Sequence, residues 1–382
     1  MLKPSSIIGT QVFSPEYHFG SKGALLSAAE EMIKMGSNII KFELNPRGYP
    51  EMSDKNLTQL QAVKSDLYRQ IFDMPFTYYI MWYHPQQKGV GWTTQRRLEI
   101  YNEVYNISEY LLKEYSDRGK CFLIGNWEGD WLALNGNTKH NKDTDSVYLE
   151  YYGAVFNTMQ EAVENARNAI AHKNTYLAHY IEVNLVLDAK DYGLNRLVNS
   201  VLPHIRTDAV SYSCYDSLQL SRLTEALDYI EKNAKFTDYF DGIFSKKVFI
   251  GEYDAYTGDY NKICAAIRPA EQLQHVHSTV LSAFSWGCPF ILYWQMYNNV
   301  NESSGVYYLI DKSGKKSKVY YRLKLYIKAI KSIQKQFKRL AGRSINMNEL
   351  SKFALLFNIR DKQSFIQKFV ELYDVLKEAE LL

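Results

Sequence analysis

Short apolar runs recur along this chain, each followed by a stretch whose apolar residues return every three to four positions. The runs at residues 6–13, 38–44, 76–83, 120–126, 175–183, 208–214, 247–251 and 289–294 are rich in β-branched and aromatic residues and predict buried strands. The stretches at 21–36, 57–72, 93–115, 148–172, 194–205, 218–234, 272–285 and 319–336 predict amphipathic helices. In the first of these, Leu25, Leu26, Ala29, Met32 and Ile33 share one face, and Gly36 supplies a stop. Strands that alternate with helices pair in parallel through right-handed crossovers. Eight such pairs are the count of an α/β fold of the (β/α)8 TIM barrel type. A doubly wound open sheet would carry a glycine-rich phosphate turn after an early strand, and the chain has none.

The pattern changes near residue 341. The barrel is expected over 1–340, with a C-terminal helical extension at 341–382. There Leu350, Phe353, Leu356 and Phe357, then Phe365, Ile366, Phe369, Tyr373 and Leu376, predict short amphipathic helices that pack on the barrel or on a partner, self-association included.

A formal net charge of +3 excludes the strong basic excess of a dedicated nucleic-acid binder. No apolar run approaches the roughly 20 residues that span a bilayer. The N-terminus lacks the pattern of a secretory signal, and Cys121, Cys214, Cys264 and Cys288 show no metal-type spacing. A reduced, cytoplasmic protein without metal or organic cofactor is the expectation.

Two strands share one arrangement at their ends. Lys247-Val-Phe-Ile-Gly-Glu-Tyr-Asp254 runs apolar, then glycine, then Glu252; Cys121-Phe-Leu-Ile-Gly-Asn-Trp-Glu-Gly-Asp-Trp131 leads the same way to Glu128. Barrel strands end at one mouth, where such folds carry their chemistry. Two carboxyl groups facing each other across a mouth are the equipment for glycosidic bond cleavage: one protonates the leaving oxygen, the other attacks or activates water.

The order of strand-end residues resembles clan A of the glycoside hydrolases, the retaining (β/α)8 enzymes. The likeness rests on Gly125-Asn126-Trp127-Glu128, Tyr212-Ser213-Cys214-Tyr215-Asp216, Ile250-Gly251-Glu252 and Leu292-Tyr293-Trp294-Gln295. It implies Glu128 as acid/base, Glu252 as nucleophile, Tyr215 as the group that orients it, and Trp294 as the floor of a sugar subsite. It also implies a substrate that is an oligo- or polysaccharide. One departure stands out: Trp127 separates Asn126 from Glu128, residues that are adjacent in the clan. On a regular strand this spacing puts both on one face unless a bulge re-aims one of them, and Asp130 is the fallback acid. The clan's early arginine has Lys41 or Arg47 as its nearest substitutes.

Further substrate-binding candidates are Asn126 for the hydroxyl beside the anomeric centre, Trp127 and Trp131 as subsite walls, His84, Glu43, Glu182 and Gln295. Glu182 shares strand parity with Asn184 and not with His179. A carbohydrate-binding barrel with a degraded acid/base site is the competing expectation. A metal-dependent hydrolase built on His84 and His179 is a third, and it lacks an H-x-H on the first strand.

Overall fold

The computed structural model describes residues 7–83, 85, 91–135, 142–218, 222–254, 269–299 and 308–382. Eight parallel strands close into a barrel: β1 (Ile8–Val12), β2 (Ile39–Glu43), β3 (Tyr78–Trp82), β4 (Lys120–Gly125), β5 (Thr175–Val183), β6 (Ala209–Ser213), β7 (Val248–Tyr253) and β8 (Ile291–Tyr293). They run round the barrel in chain order, and β8 closes it by pairing Ile8 with Ile291. The TIM barrel expected from the alternation is thus the fold.

The outer helices are α1 (Ala24–Met35), α2 (Asp66–Asp73), α3 (Thr94–Glu114), α4 (Ser146–Ala169), α5 (Val186–Tyr192), α6 (Leu223–Asn233), α7 (Pro269–Trp286) and α8 (Lys318–Ala341). Two expected helices differ. The one at 57–72 is broken at Lys64–Ser65, with a short preceding helix, Gln59–Val63, fixed by a Thr58–Gln61 capping box. After β5 the chain turns into α5 at once and stops at Gly193, leaving only Leu197–Ser200 helical from the expected 194–205. A two-residue ladder, Arg206–Thr207 with Lys235–Phe236, lies outside the barrel.

Rings that meet across the lumen fill the lower barrel. Tyr78 of β3 meets Phe290, just before β8, at 4.9 Å between centroids; Phe290 meets Phe249 at 5.4 Å, and Phe249 meets Tyr180 at 5.6 Å. Since β3 and β8 are not neighbours, the first contact crosses the interior. These edge-on rings form an apolar floor under the polar layer described below.

The C-terminal segment folds as Met347–Ser351, a 3-10 turn Ala354–Asn358 and a final helix Lys362–Glu378. Phe357 meets Phe284 of α7 and Tyr326 of α8, at 4.6 and 5.3 Å. Phe337 of α8 contacts Phe353 and Tyr373, and Phe353 stacks on Phe369 at 4.8 Å. The extension therefore buries its aromatic residues against two barrel helices. No helix among the described residues is long and apolar enough to cross a membrane.

Candidate active site

Lys41 is the centre of the upper barrel. It interrupts the otherwise apolar first four residues of β2, Ile39-Ile40-Lys41-Phe42, and its side chain is fully buried. An ammonium has three protons to donate. Those of Lys41 meet Glu182 Oε2 at 2.7 Å, the Gly251 carbonyl at 3.1 Å and Glu252 Oε1 at 3.3 Å. The partners stand on β5 and β7, not neighbours of β2, so the group bridges the lumen. Of the two early cations, Lys41 and not Arg47 takes this place; Arg47 is exposed and its guanidinium donates to the Lys55 carbonyl.

Glu252 reaches this centre through a β-bulge. Between Ile250 and Glu252 β7 has one residue more than β6, where Tyr212 and Ser213 are consecutive; β8 loses register with β7 over the same stretch. Phe249 and Gly251 face inward, so strict alternation would turn Glu252 outward. The extra residue re-aims it into the mouth. Gly251 itself admits no side chain, because a Cβ there would lie 1.8 Å from Ser211 Oγ and 2.7 Å from Glu182 Oε2. The other oxygen of Glu252 accepts from the Tyr215 hydroxyl at 3.1 Å.

Electrostatically, two buried carboxylates share one ammonium. Burial pushes the Glu252 carboxyl well above the usual range; the Lys41 charge pulls it down, Glu182 pushes it up again, and the Tyr215 hydrogen bond pulls it down. Both oxygens of Glu182 are engaged: Oε2 accepts from Lys41 and from Ser211 Oγ at 2.6 Å, and Oε1 accepts from the Glu128 amide at 3.2 Å. One side chain thus connects the Lys41–Glu252 pair to the peptide of Glu128. Glu128 is only 8% exposed, and its carbonyl accepts from the Trp131 amide at the start of the short helix Gly129–Ala133.

Aromatic side chains line the same mouth. Trp82, at the end of β3, stacks on Phe13 at 3.5 Å, and its centroid is 6.2 Å from those of both Trp294 and Trp127. Lys41 Nζ lies 4.9 Å from the Trp82 centroid, a cation–π contact. Trp294 follows β8, with a cis peptide to Gln295. Trp131 is half-buried in the short helix after Glu128.

Several sequence-based assignments need correction. Asn126 has its whole amide committed to the backbone: Oδ1 accepts from the Glu182 amide, and Nδ2 donates to the carbonyls of Glu182 and Trp127, all at 3.0 Å. It ties β4 to β5 rather than reaching for a sugar. Glu182 is the counter-ion just described, engaged by Lys41, Ser211 and the Glu128 amide. Gln295 is buried and clamps the Phe13 backbone, accepting from its amide at 2.7 Å and donating to its carbonyl at 3.3 Å. Asp130, the fallback acid, is fully buried and accepts from the amides of Asn184, Leu185 and Leu197, a loop-fixing role. Glu43, the last residue of β2, accepts from Asn45 at 2.7 Å through one oxygen, which leaves it a candidate, and burial raises its carboxyl. His179 faces outward, with Nδ1 at 3.1 Å from Gln160 of α4, on the opposite face from Glu182 as parity required. His84 lies outside the described residues. Among those described, no three potential ligands cluster as a metal site would need.

Lys41 and Trp82, with the supporting Ser211 and Gln11, are the residues that the strand-end reading passed over or left undecided. Gln11 donates to the Gly251 carbonyl at 3.2 Å and so helps hold the bulge. A lone lysine in a buried apolar strand was the available signal for the first.

No family model and no curated protein matches the sequence. Solved structures do match over the barrel. An exo-β-1,4-mannosidase from Opitutaceae bacterium strain TAV5 superposes with a TM-score of 0.54 at 12% identity, over 85% of this chain and 59% of that one. A β-glucosidase from Exiguobacterium marinum gives 0.53 at 10% identity, over 86% of this chain and 99% of the other. The AHE enzyme from Alicyclobacillus herbarius gives 0.54 at 13%, over 87% and 98%. At these identities the likeness is one of fold, and the chain spans less than two thirds of the mannosidase.

Proposed function

We propose that this protein is a retaining glycoside hydrolase acting on an oligo- or polysaccharide, with Glu252 as nucleophile and Glu128 as acid/base. The observation that carries the reading is the Glu252 carboxylate itself, re-aimed inward by a bulge, gripped by Lys41 on one oxygen and by Tyr215 on the other. Solved glycosidases with the same barrel support it.

In the first step a Glu252 oxygen attacks the anomeric carbon. The bond to the leaving oxygen breaks as that oxygen takes the Glu128 proton, leaving a glycosyl ester. In the second, water attacks the anomeric carbon, its proton passes to Glu128, and the ester bond to Glu252 breaks. Tyr215 and Lys41 fix the attacking carboxylate in one orientation, which lowers the entropy lost on reaching the transition state. Glu182 has a further part. When the ester forms, Glu252 loses its charge, and Lys41 would be left as a buried, unbalanced cation; the 2.7 Å pair with Glu182 keeps it neutralised. Trp82, Trp294 and Trp127 offer flat apolar walls for pyranose faces.

The test is chemical rescue. Glu252→Gly is expected to abolish turnover of an activated aryl glycoside and to regain it with azide, which occupies the vacated space and yields a glycosyl azide of inverted configuration. Undiminished activity in that variant would remove Glu252 from the mechanism. A glycan-binding barrel without hydrolysis is the second reading, favoured by the commitment of Asn126 to strand clamping. Glycan affinity without turnover, equal in the wild type and in Glu128→Gln, would select it.

A further inference from the structure

We propose that the flank of the barrel between α3 and α4 is a second carbohydrate-binding surface, built for a neutral glycan chain. The inference extends the reading of the protein as glycan-acting and uses none of the residues at the mouth. The two helices enclose an open groove of ≈ 690 Å³ lined by Tyr101, Asn102, Tyr105 and Asn106 from α3 and by Asn165 and Asn168 from α4. That volume lies within the range of small-ligand sites.

The composition points to sugar. Tyr101 and Tyr105 stand one turn apart and stack, with rings 6.0 Å between centroids and 19° from parallel, and both line the groove. The negative faces of such rings attract the polarised C–H bonds of a pyranose. Asn165 Nδ2 donates to the Tyr101 hydroxyl at 2.9 Å, which fixes that ring and leaves the hydroxyl proton for an acceptor in the groove. Each asparagine amide offers a donor and an acceptor side by side, the pattern that neighbouring sugar hydroxyls match.

Charge is absent from the lining, and the charged residues around it are engaged elsewhere. Arg97 pairs with Glu161 across the same two helices at 2.6 Å, and Glu164 accepts from Gln160. An anionic ligand would find no unpaired cation in this lining, and an apolar partner helix would find amides instead of aliphatic side chains. Asparagine is also a poor helix former, and Asn102 and Asn106 line the groove from the interior of α3, against local preference.

The experiment uses the full chain carrying Glu252→Gln, so that binding is read without turnover, in native gels cast with soluble mannan or mixed-linkage β-glucan. Retardation is expected with at least one of these, and Tyr101→Ala/Tyr105→Ala is expected to weaken it tenfold or more. Asn102→Glu, at an exposed helical position, is expected to do the same by placing a charge in the groove, and its thermal unfolding checks the fold. Retardation unchanged in both variants, or no retardation of the parent by either polymer, overturns the proposal. Turnover of a small aryl glycoside by the unaltered protein is read separately: loss of gel binding through Tyr101 and Tyr105 without any such turnover leaves this surface standing and removes the catalytic reading alone.

Discussion

Lys41, Glu182 and Glu252 meet in one buried cluster, two carboxyl groups around one ammonium. The surplus negative charge and the burial raise Glu252, and the consequence for folding has a definite sign. Between the ordinary carboxylate range and its raised value, the folded protein keeps a proton that the unfolded chain has released. Stability therefore falls as pH rises through that window, by up to about 1.4 kcal/mol per pH unit. Glu252→Gln removes the buried charge and is expected to melt higher than the parent at alkaline pH, the difference closing toward pH 4 in a series of thermal melts. The same ionisation governs attack on the anomeric carbon, so the acid limb of kcat/KM is expected to follow Glu252 in its raised range and not that of a free glutamate. The sequence displayed Glu252 and Tyr215 clearly, since each ends a strand with its neighbours in order. It displayed Glu182 only as a parity-matched polar residue, because nothing local says which buried group will be its partner across the lumen.

At the level of elements, the decisive departure from regularity is in β7. The spacing of Asn126, Trp127 and Glu128 points to β4 as the place for a bulge. The bulge is instead beside Gly251, whose missing side chain makes room for Ser211 and Glu182. Gly251→Ala is expected to destabilise the fold by about 1–3 kcal/mol, as overpacking does. It is also expected to lower kcat on an aryl glycoside by more than KM changes, since it moves the attacking oxygen; denaturant unfolding and steady-state kinetics read the two effects. Gly125 is constrained in a similar way, with the Tyr180 carbonyl 2.4 Å from where its Cβ would stand. Both glycines were visible as the ends of apolar runs. Their reason was not, because it lies in the strand alongside. The strands were legible because burial and period coincide, whereas the region after β5 was misread where apolar spacing after Gly193 resembled a full helix.

For the molecule as a whole, the closed barrel with its helices was legible from alternation alone, and the C-terminal segment was legible as helices without a fixed place. Its place is set by aromatic packing on α7 and α8, with Phe369 fully buried against Phe353. Phe369→Ala is expected to lower stability by about 3–5 kcal/mol, read as a shift in the denaturant midpoint. A further consequence follows from Glu182 of β5. One of its oxygens holds the cation that grips Glu252, and the other holds the backbone from which Glu128 springs. The gauge between the two acids is thus a single side chain in the scaffold's interior, so shortening it by one methylene is a way to reset the bite of the mouth while every loop above it keeps its sequence.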